Sequence, residues 1–526
     1  MKVLISDPLS EVGVKIFEEE PDIKVDVNTG LAPEELKGII GRYDGLVIRS
    51  ATKVTSEIIG AAEKLKVIGR AGIGVDNVDI PAATRKGIVV MNTPHGNTIT
   101  TAEHTIAMMM ALSRNIPQAT ASMKEGRWEK KELQGRELYS KTLGLVGAGN
   151  IGRIVADRAR GLKMKVIVYD PYITPDTIRE LELEPVSFED LLQRADYITI
   201  HTPKTEETTN MINRETIARM KKGAMVINCA RGGIVNEDDL YEALASGHLG
   251  GAALDVFMTE PPGKIKLLEL PRFICTPHLG ASTKEAQDNV ARDVAEQIVA
   301  FLKDGTVSNA INVPSISGEL MRLLRPFALL GEKLGLLQGQ LAVGGLKEVE
   351  VRYAGRVAEH DVSPLTAAVL KGLLTPALKE GVNFVNAPHI ASDRGIKVLE
   401  SRTETSRDFG SLIFLRVTST EGENIVSGTL FGKTLPRIVR INDFYLEAVP
   451  EGHNLLLFCE DVPGVIGRIG TLLGDHGLNI GRMQVGREDG KGRTVIFLNT
   501  GAPVGDEVLK GLGSLENVLS VKRVEL

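Results

Sequence analysis

KTLGLVGAGNIGRIVADRARGLKMKVIVYD, residues 141–170, decides the fold. A short apolar run, TLGLV, meets Gly147-Ala148-Gly149-Asn150-Ile151-Gly152. An amphipathic stretch follows, and then a second apolar run, KVIVYD. Strand, glycine turn, helix and strand in that order make a parallel βαβ unit. Gly147, Gly149 and Gly152 let the backbone approach a pyrophosphate, and the helix that opens there turns unpaired N–H groups toward it. Asp170 closes the second strand at about the 20-residue separation of a ribose-binding acid, where it accepts from a 2′-hydroxyl and repels a 2′-phosphate. Pro171 and Tyr172 come next, with no arginine to hold such a phosphate. The motif therefore points to NAD rather than NADP.

Outward from this unit, YITIH, AMVINCA, GAALDVF and FICTPH continue the alternation of strands with helices. Upstream, KVLISD, KVDVN, GLVIRS, KVIGRAG and GIVVMN do the same. The expected fold class is α/β, with two doubly wound parallel-sheet domains, one of them Rossmann-like. The first is read as discontinuous, residues 1–98 completed by 282–312, around a nucleotide-binding unit at 99–281. The pattern resets near Pro314–Gly318. Residues 315–450 read as an α+β unit, with a helical LMRLLRPFALLGEKLGLLQGQL and strands KEVEVRYAG, GSLIFLRVTST and RIVRIND. Residues 452–526 run strand, helix, two strands, helix, strand, which is the ferredoxin-like order.

The bulk composition agrees with a multidomain globular protein. The chain has 526 residues, too many for one core, and is 43% hydrophobic and 25% charged. Its net charge of −6 offers no basic footprint for nucleic acid. No apolar run nears the ~18 residues of a membrane span, and MKVLISDPLS has no signal-peptide pattern. Cys229, Cys275 and Cys459 stand apart in apolar surroundings, as packed, reduced thiols of a cytoplasmic protein do. No CxxC or HExxH spacing suggests a zinc site.

Three chemistry-bearing residues stand just beyond strands of the nucleotide-binding unit, where open α/β sheets bind ligands. Arg231 follows AMVINCA, Glu260 follows GAALDVFMT, and His278 follows RFICTP. Oxidation of a secondary alcohol needs a base for its hydroxyl proton, a task suited to histidine. A carboxylate beside the imidazole orients it and favours its charged form. An arginine fork matches a substrate carboxylate in two parallel hydrogen bonds.

Through VGAGNIGRIVA, INCARGGIVNEDDL, ALDVFMTEPP and TPHLGAST the chain resembles the D-isomer-specific 2-hydroxyacid dehydrogenase family. VIRSATKVT, GRAGIGVDNVD and NTPHGNTITTAEHT bring it near the long-form members that carry two further domains. The resemblance implies NAD-dependent oxidation of 3-phospho-D-glycerate to 3-phosphohydroxypyruvate. Arg231 would orient the substrate, His278 act as acid/base and Glu260 as its partner. It implies cofactor contacts from Asn150, Ile151, Asp170, Thr202, Cys229, Ala230, Arg231, Asp255, His278 and Gly280. Arg49 would meet the substrate phosphate, with Ser50 and Asn97 as polar neighbours. Lys130 and Lys131, near Trp128, would add charge from an adjacent subunit of a homotetramer. DVPGVIGRIGTLLGDHGLNI resembles an ACT domain, whose Asp461 and Asn479 would hold L-serine as feedback inhibitor. Lys433, Arg437 and Arg440 form a basic cluster for an anionic effector or a solvated strand face. The alternatives are a glyoxylate or hydroxypyruvate reductase and a dinucleotide-sensing corepressor.

Overall fold

The computed structural model describes residues 1–313, 318–378, 381–405, 408–488 and 492–526. The reset expected at Pro314–Gly318 falls mostly outside these residues. Among those described, no helix is long and apolar enough to cross a membrane.

Strands β1 (Lys2–Ile5), β2 (Lys24–Val27), β3 (Gly45–Ile48), β4 (Val67–Arg70) and β5 (Val89–Asn92) form a parallel sheet in the order β2-β1-β3-β4-β5. β3 and β5 are buried along their whole length, so their sequences are unbroken apolar runs rather than alternations. The helix Lys284–Asp304 packs across this sheet, with Val290, Val294 and Ile298 in one core with Val3, Ile5 and Val67. Gly69 permits the approach: a Cβ there would stand 2.5 Å from Ile298 Cδ1. Beyond the helix, Met91 bridges to Ala310, and Asn312 Oδ1 accepts from the Val90 amide at 2.9 Å.

The second sheet is parallel and runs β12-β11-β10-β9-β6-β7-β8. Its strands are β6 (Thr142–Val146), β7 (Lys165–Tyr169), β8 (Glu184–Pro185), β9 (Tyr197–Ile200), β10 (Met225–Asn228), β11 (Gly251–Leu254) and β12 (Phe273–Cys275). Strand order reverses between β6 and β9, which opens a crevice at their carboxyl ends. The helix Thr98–Ser113 leaves the end of β5 and joins the core of this second sheet through Ala102, Met109 and Leu112. It physically links the two sheets. Cys229 is buried, but Cys275 is exposed, against the expectation of three packed thiols. It ends β12, the edge strand of this sheet.

A third sheet holds β13 (Leu346–Gly355), β14 (Lys397–Thr403), β15 (Ser411–Ser419), β16 (Glu423–Phe431), β17 (Leu435–Ile441) and β18 (Phe444–Ala448), in the order β14-β13-β15-β16-β17-β18. Three of these, β14, β16 and β18, go beyond the strands read from the sequence. The helices Gly318–Leu341 and Ser363–Leu378 pack against each other at close range: a Cβ on Gly335 would lie 2.0 Å from the Val369 carbonyl oxygen.

The last sheet comprises β19 (His453–Glu460), β20 (Arg482–Arg487), β21 (Arg493–Asn499) and β22 (Val518–Glu525), ordered β20-β21-β19-β22. Helices Val465–Asp475 and Asp506–Gly513 cover one face. From the other, Leu456, Phe497 and Val524 enter the core of the third sheet, so the two C-terminal units share one apolar interior.

Candidate active site

His278 sits two residues past Thr276 in a left-handed conformation (φ 55°), which a non-glycine residue adopts only when its surroundings hold it there. Its amide donates to the Asp255 carbonyl at 2.9 Å. Its Nδ1 meets Glu260 Oε2 at 2.7 Å, and Glu260 Oε1 accepts from the Phe257 amide at 3.0 Å. The carboxylate is thus fixed by its own turn and in turn fixes the imidazole. With Nδ1 committed to Glu260, Nε2 is the nitrogen left for a reacting proton. Both side chains are about half exposed, so the pair opens to the cleft.

Arg231 follows β10 and reaches across to the first sheet, where its Nε meets Asp76 Oδ2 at 3.1 Å. Asn228 braces the turn, donating to the Arg231 carbonyl and accepting from the Ala230 amide. Gly232 has a steric reason: a Cβ there would fall 1.8 Å from the Phe257 oxygen. Arg49, at the end of β3, donates its amide to Asp7 Oδ2 at 2.6 Å and its guanidinium to the Pro8 carbonyl at 3.2 Å. Ser50 beside it is exposed. Asn97 is buried, and its Oδ1 has no protein partner.

A third guanidinium, Arg70 at the end of β4, went unread in the sequence. Its signal was the one that drew attention to Arg49: a cation closing an apolar strand, here in KVIGRAG. Burial and the nearby positive charge of Arg231 pull its pKa down to about 10, with Arg49 adding to the effect. Its Nε and the Thr93 hydroxyl lack partners. Buried polar atoms without partners are few in native proteins. Here Arg70 Nε, Thr93 Oγ1 and Asn97 Oδ1 belong to segments at or just beyond β4 and β5.

The nucleotide end is equally specific. Gly147 (φ 92°) would place a Cβ 2.6 Å from the His201 carbonyl oxygen, and Gly152 would place one 2.1 Å from the Gly147 oxygen. Nothing stands within 4 Å of such an atom on Gly149, which leaves the cradle open. The helix Asn150–Gly161 starts there without a side-chain cap, so the Asn150 and Ile151 amides are free to meet a pyrophosphate. Asp170 Oδ2 accepts from the Ala148 amide at 2.8 Å, tying the acid expected to bind ribose to the glycine turn. Thr202 Oγ1 is buried and unpaired, with its methyl group against Gly147. This donor set fits a dinucleotide. Burial pushes the Cys229 thiol up to about 12, so it stays protonated. Ala230 offers its carbonyl to Arg231 Nη1.

Asp255 differs from the direct cofactor contact expected of it. Its side chain is wholly buried, with Oδ1 accepting from Thr276 Oγ1 and the Leu279 amide and Oδ2 from the Gly280 amide. It serves the turn that carries His278. His104, also unread in the sequence, approaches the same carboxylate from the helix Thr98–Ser113, at 3.3 Å.

Comparison with known proteins now decides the family. A D-3-phosphoglycerate dehydrogenase from Synechocystis is 46% identical over all of this chain and 95% of its own length. The chain belongs to the D-3-phosphoglycerate dehydrogenase family. A relative of that name from Methanocaldococcus jannaschii is 45% identical over the full length of both. Residues 106–280 match the NAD-binding domain of D-isomer specific 2-hydroxyacid dehydrogenases. Residues 323–442 match the D-3-phosphoglycerate dehydrogenase intervening domain, and 453–517 the ACT domain. Among solved structures, the TT0316 protein of Thermus thermophilus aligns with a TM-score of 0.55 and 36% identity, covering 59% of this chain and all of its own.

The residues expected to hold an effector are less gathered than Glu260 and His278. Asp461 pairs with Arg487 at 3.2 Å, while Asn479 is exposed ahead of β20, and among the described residues no hydrogen bond joins the two. The basic cluster of the intervening domain does not converge either. Arg437 lies over the Phe431 ring, and Arg440 Nε donates to the Asn442 carbonyl at 2.6 Å. Lys433 is exposed in the turn between β16 and β17. Each arginine is spent on its own hairpin, which favours the solvated strand face. Trp128, Lys130 and Lys131 are exposed together.

Proposed function

We propose that the enzyme oxidises 3-phospho-D-glycerate to 3-phosphohydroxypyruvate with NAD, the entry step of phosphorylated serine synthesis. The observation that carries this reading is the group of three guanidiniums, with buried Arg70 feeling the charges of both Arg231 and Arg49, and the unpaired Asn97 oxygen beyond the end of β5. One arginine suffices for the carboxylate of glyoxylate or hydroxypyruvate. Two more call for a second anion at the far end of the substrate, and a phosphate has the charge and acceptor geometry for an arginine pair.

When bound, NAD supplies the hydride acceptor. Nε2 of His278 takes the C2 hydroxyl proton, and Glu260 stabilises the imidazolium that results. Arg231 exchanges Asp76 for the substrate carboxylate, so its charge is balanced before and after binding. Arg49 and Arg70 hold the phosphate. Residues 1–98 with 282–312 form the substrate-binding domain in this reading, and 99–281 the nucleotide-binding one.

The ACT domain supports feedback inhibition by L-serine at a site between two copies. Asp461 and Asn479 would supply the partners for its ammonium and carboxylate. Exposed Ile116, Met123 and Trp128 (78% exposed) support self-association, read as a homotetramer. The free thiols suit the cytoplasm.

The test is NADH oxidation with phosphohydroxypyruvate, hydroxypyruvate and glyoxylate, each with and without L-serine. Strong preference for the phosphorylated acid, suppressed by serine, is the expected outcome. Equal use of all three, indifferent to serine, would leave a general reductase.

A further inference from the structure

The turn His278-Leu279-Gly280 is held from one side by a single carboxylate. Asp255 accepts the Leu279 amide at 2.7 Å and the Gly280 amide at 2.8 Å through its side chain, and the His278 amide through its carbonyl. What fixes Asp255 lies on another element. Thr276 Oγ1 donates to Asp255 Oδ1, so its own oxygen is left to accept. His104 Nε2 stands 3.0 Å from that oxygen and 3.3 Å from Asp255 Oδ1, the position of an N–H shared between both. One turn earlier on the same helix, Thr101 Oγ1 donates to the Gly280 carbonyl at 3.0 Å. This face of the helix Thr98–Ser113 therefore grips the turn at both ends, and the same helix begins at Asn97, on the substrate side.

We infer that His104 is a positioning residue for the acid/base: through Thr276 and Asp255 it fastens the left-handed turn of His278 to the helix that links the two sheets. It touches neither substrate nor cofactor. Loss of its N–H frees Thr276 and Asp255 to relax, and the His278–Glu260 bond loosens with the turn. The inference rests on His278 as the acid/base. It adds a reason for a histidine within ITTAEHTIAMMM, where apolar packing alone would accept leucine.

The experiment compares wild type with His104→Leu, His104→Gln and Thr276→Val. The first readout is the NMR signal of the His278 Nδ1 proton shared with Glu260, assigned with His278→Gln, which needs no substrate. The signal should broaden and exchange faster with solvent in His104→Leu and Thr276→Val, as the His278–Glu260 bond loosens, and stay as in wild type in His104→Gln, whose amide keeps a donor. The second is steady-state reduction of phosphohydroxypyruvate. There kcat should drop about tenfold in His104→Leu with both KM values within about twofold, and His104→Gln should recover to within about threefold. An unchanged His278 Nδ1 proton signal in His104→Leu, with only the melting temperature lowered, would reduce His104 to packing and overturn the inference. Should the leucine variant not fold, Thr276→Val carries the same expectation and the same refutation. A wild type that reduces no 2-oxo acid would defeat the substrate assignment while leaving the proton-signal result to stand or fall by itself.

Discussion

Two pairs of side chains were singled out as sites, and the molecule treats them differently. Glu260 and His278 meet at 2.7 Å inside one chain, held by backbone amides on either side. Asp461 and Asn479 remain apart, and Asp461 is already occupied by Arg487. The first pair stands at neighbouring strand ends of one parallel sheet, where topology forces convergence. The second lies on surface loops of a module that turns one sheet face into the intervening domain and leaves its loops open. The fold of a single chain closes the first pair and leaves the second open.

The comparison breaks most sharply at the catalytic pair. His278→Ala should lower kcat about a thousandfold, and Glu260→Gln by tens of fold with an altered pH profile, both read by steady-state kinetics. Arg231→Ala should lose about a hundredfold in kcat/KM, near 3 kcal/mol, while NADH binding by fluorescence holds within about twofold. Lost NADH binding would instead make Arg231 a cofactor residue.

Asp255 sharpens the contrast through stability. Burial opposes its charge, but His104, Thr276 and the amides of Leu279 and Gly280 outweigh that and hold its carboxyl below the usual range. A depressed carboxyl stabilises the fold fully above its unfolded value near pH 4, and the contribution is lost as pH falls through the folded value. Asp255→Asn should therefore cost about 3 kcal/mol at pH 7 by denaturant unfolding, with the gap narrowing toward pH 3. At the regulatory end the expected effect is smaller. Asp461→Ala should raise the half-inhibitory serine concentration about tenfold, in keeping with one lost charged hydrogen bond. No change would show that serine, if it binds, uses other groups.

The glycine turn and the meeting of Glu260 with His278 were legible because the physics behind them is local: a strand, a tight turn and a residue just past a strand end. The ACT unit was legible from its element order. Strand β14 was not, since its side chains are almost all exposed and leave no apolar alternation to read. Arg70 was passed over although it carried the same mark as Arg49 and Arg231. The link from His104 to Asp255 spans 151 positions of chain and has no local trace. The basic stretch at 433–440 left two readings open for a related reason: composition places charges near one another, but only the fold decides where they point.

The central claim is that the chain's own arginines read a phosphate at the far end of the substrate. The direct measurement is the ratio of kcat/KM for phosphohydroxypyruvate to that for hydroxypyruvate, in wild type and in Arg49→Ala and Arg70→Ala. The account predicts a ratio of about a hundred or more in wild type that falls at least about tenfold in each variant, through the phosphorylated acid alone. A ratio untouched by either substitution, or activity lost equally for both acids, would contradict it.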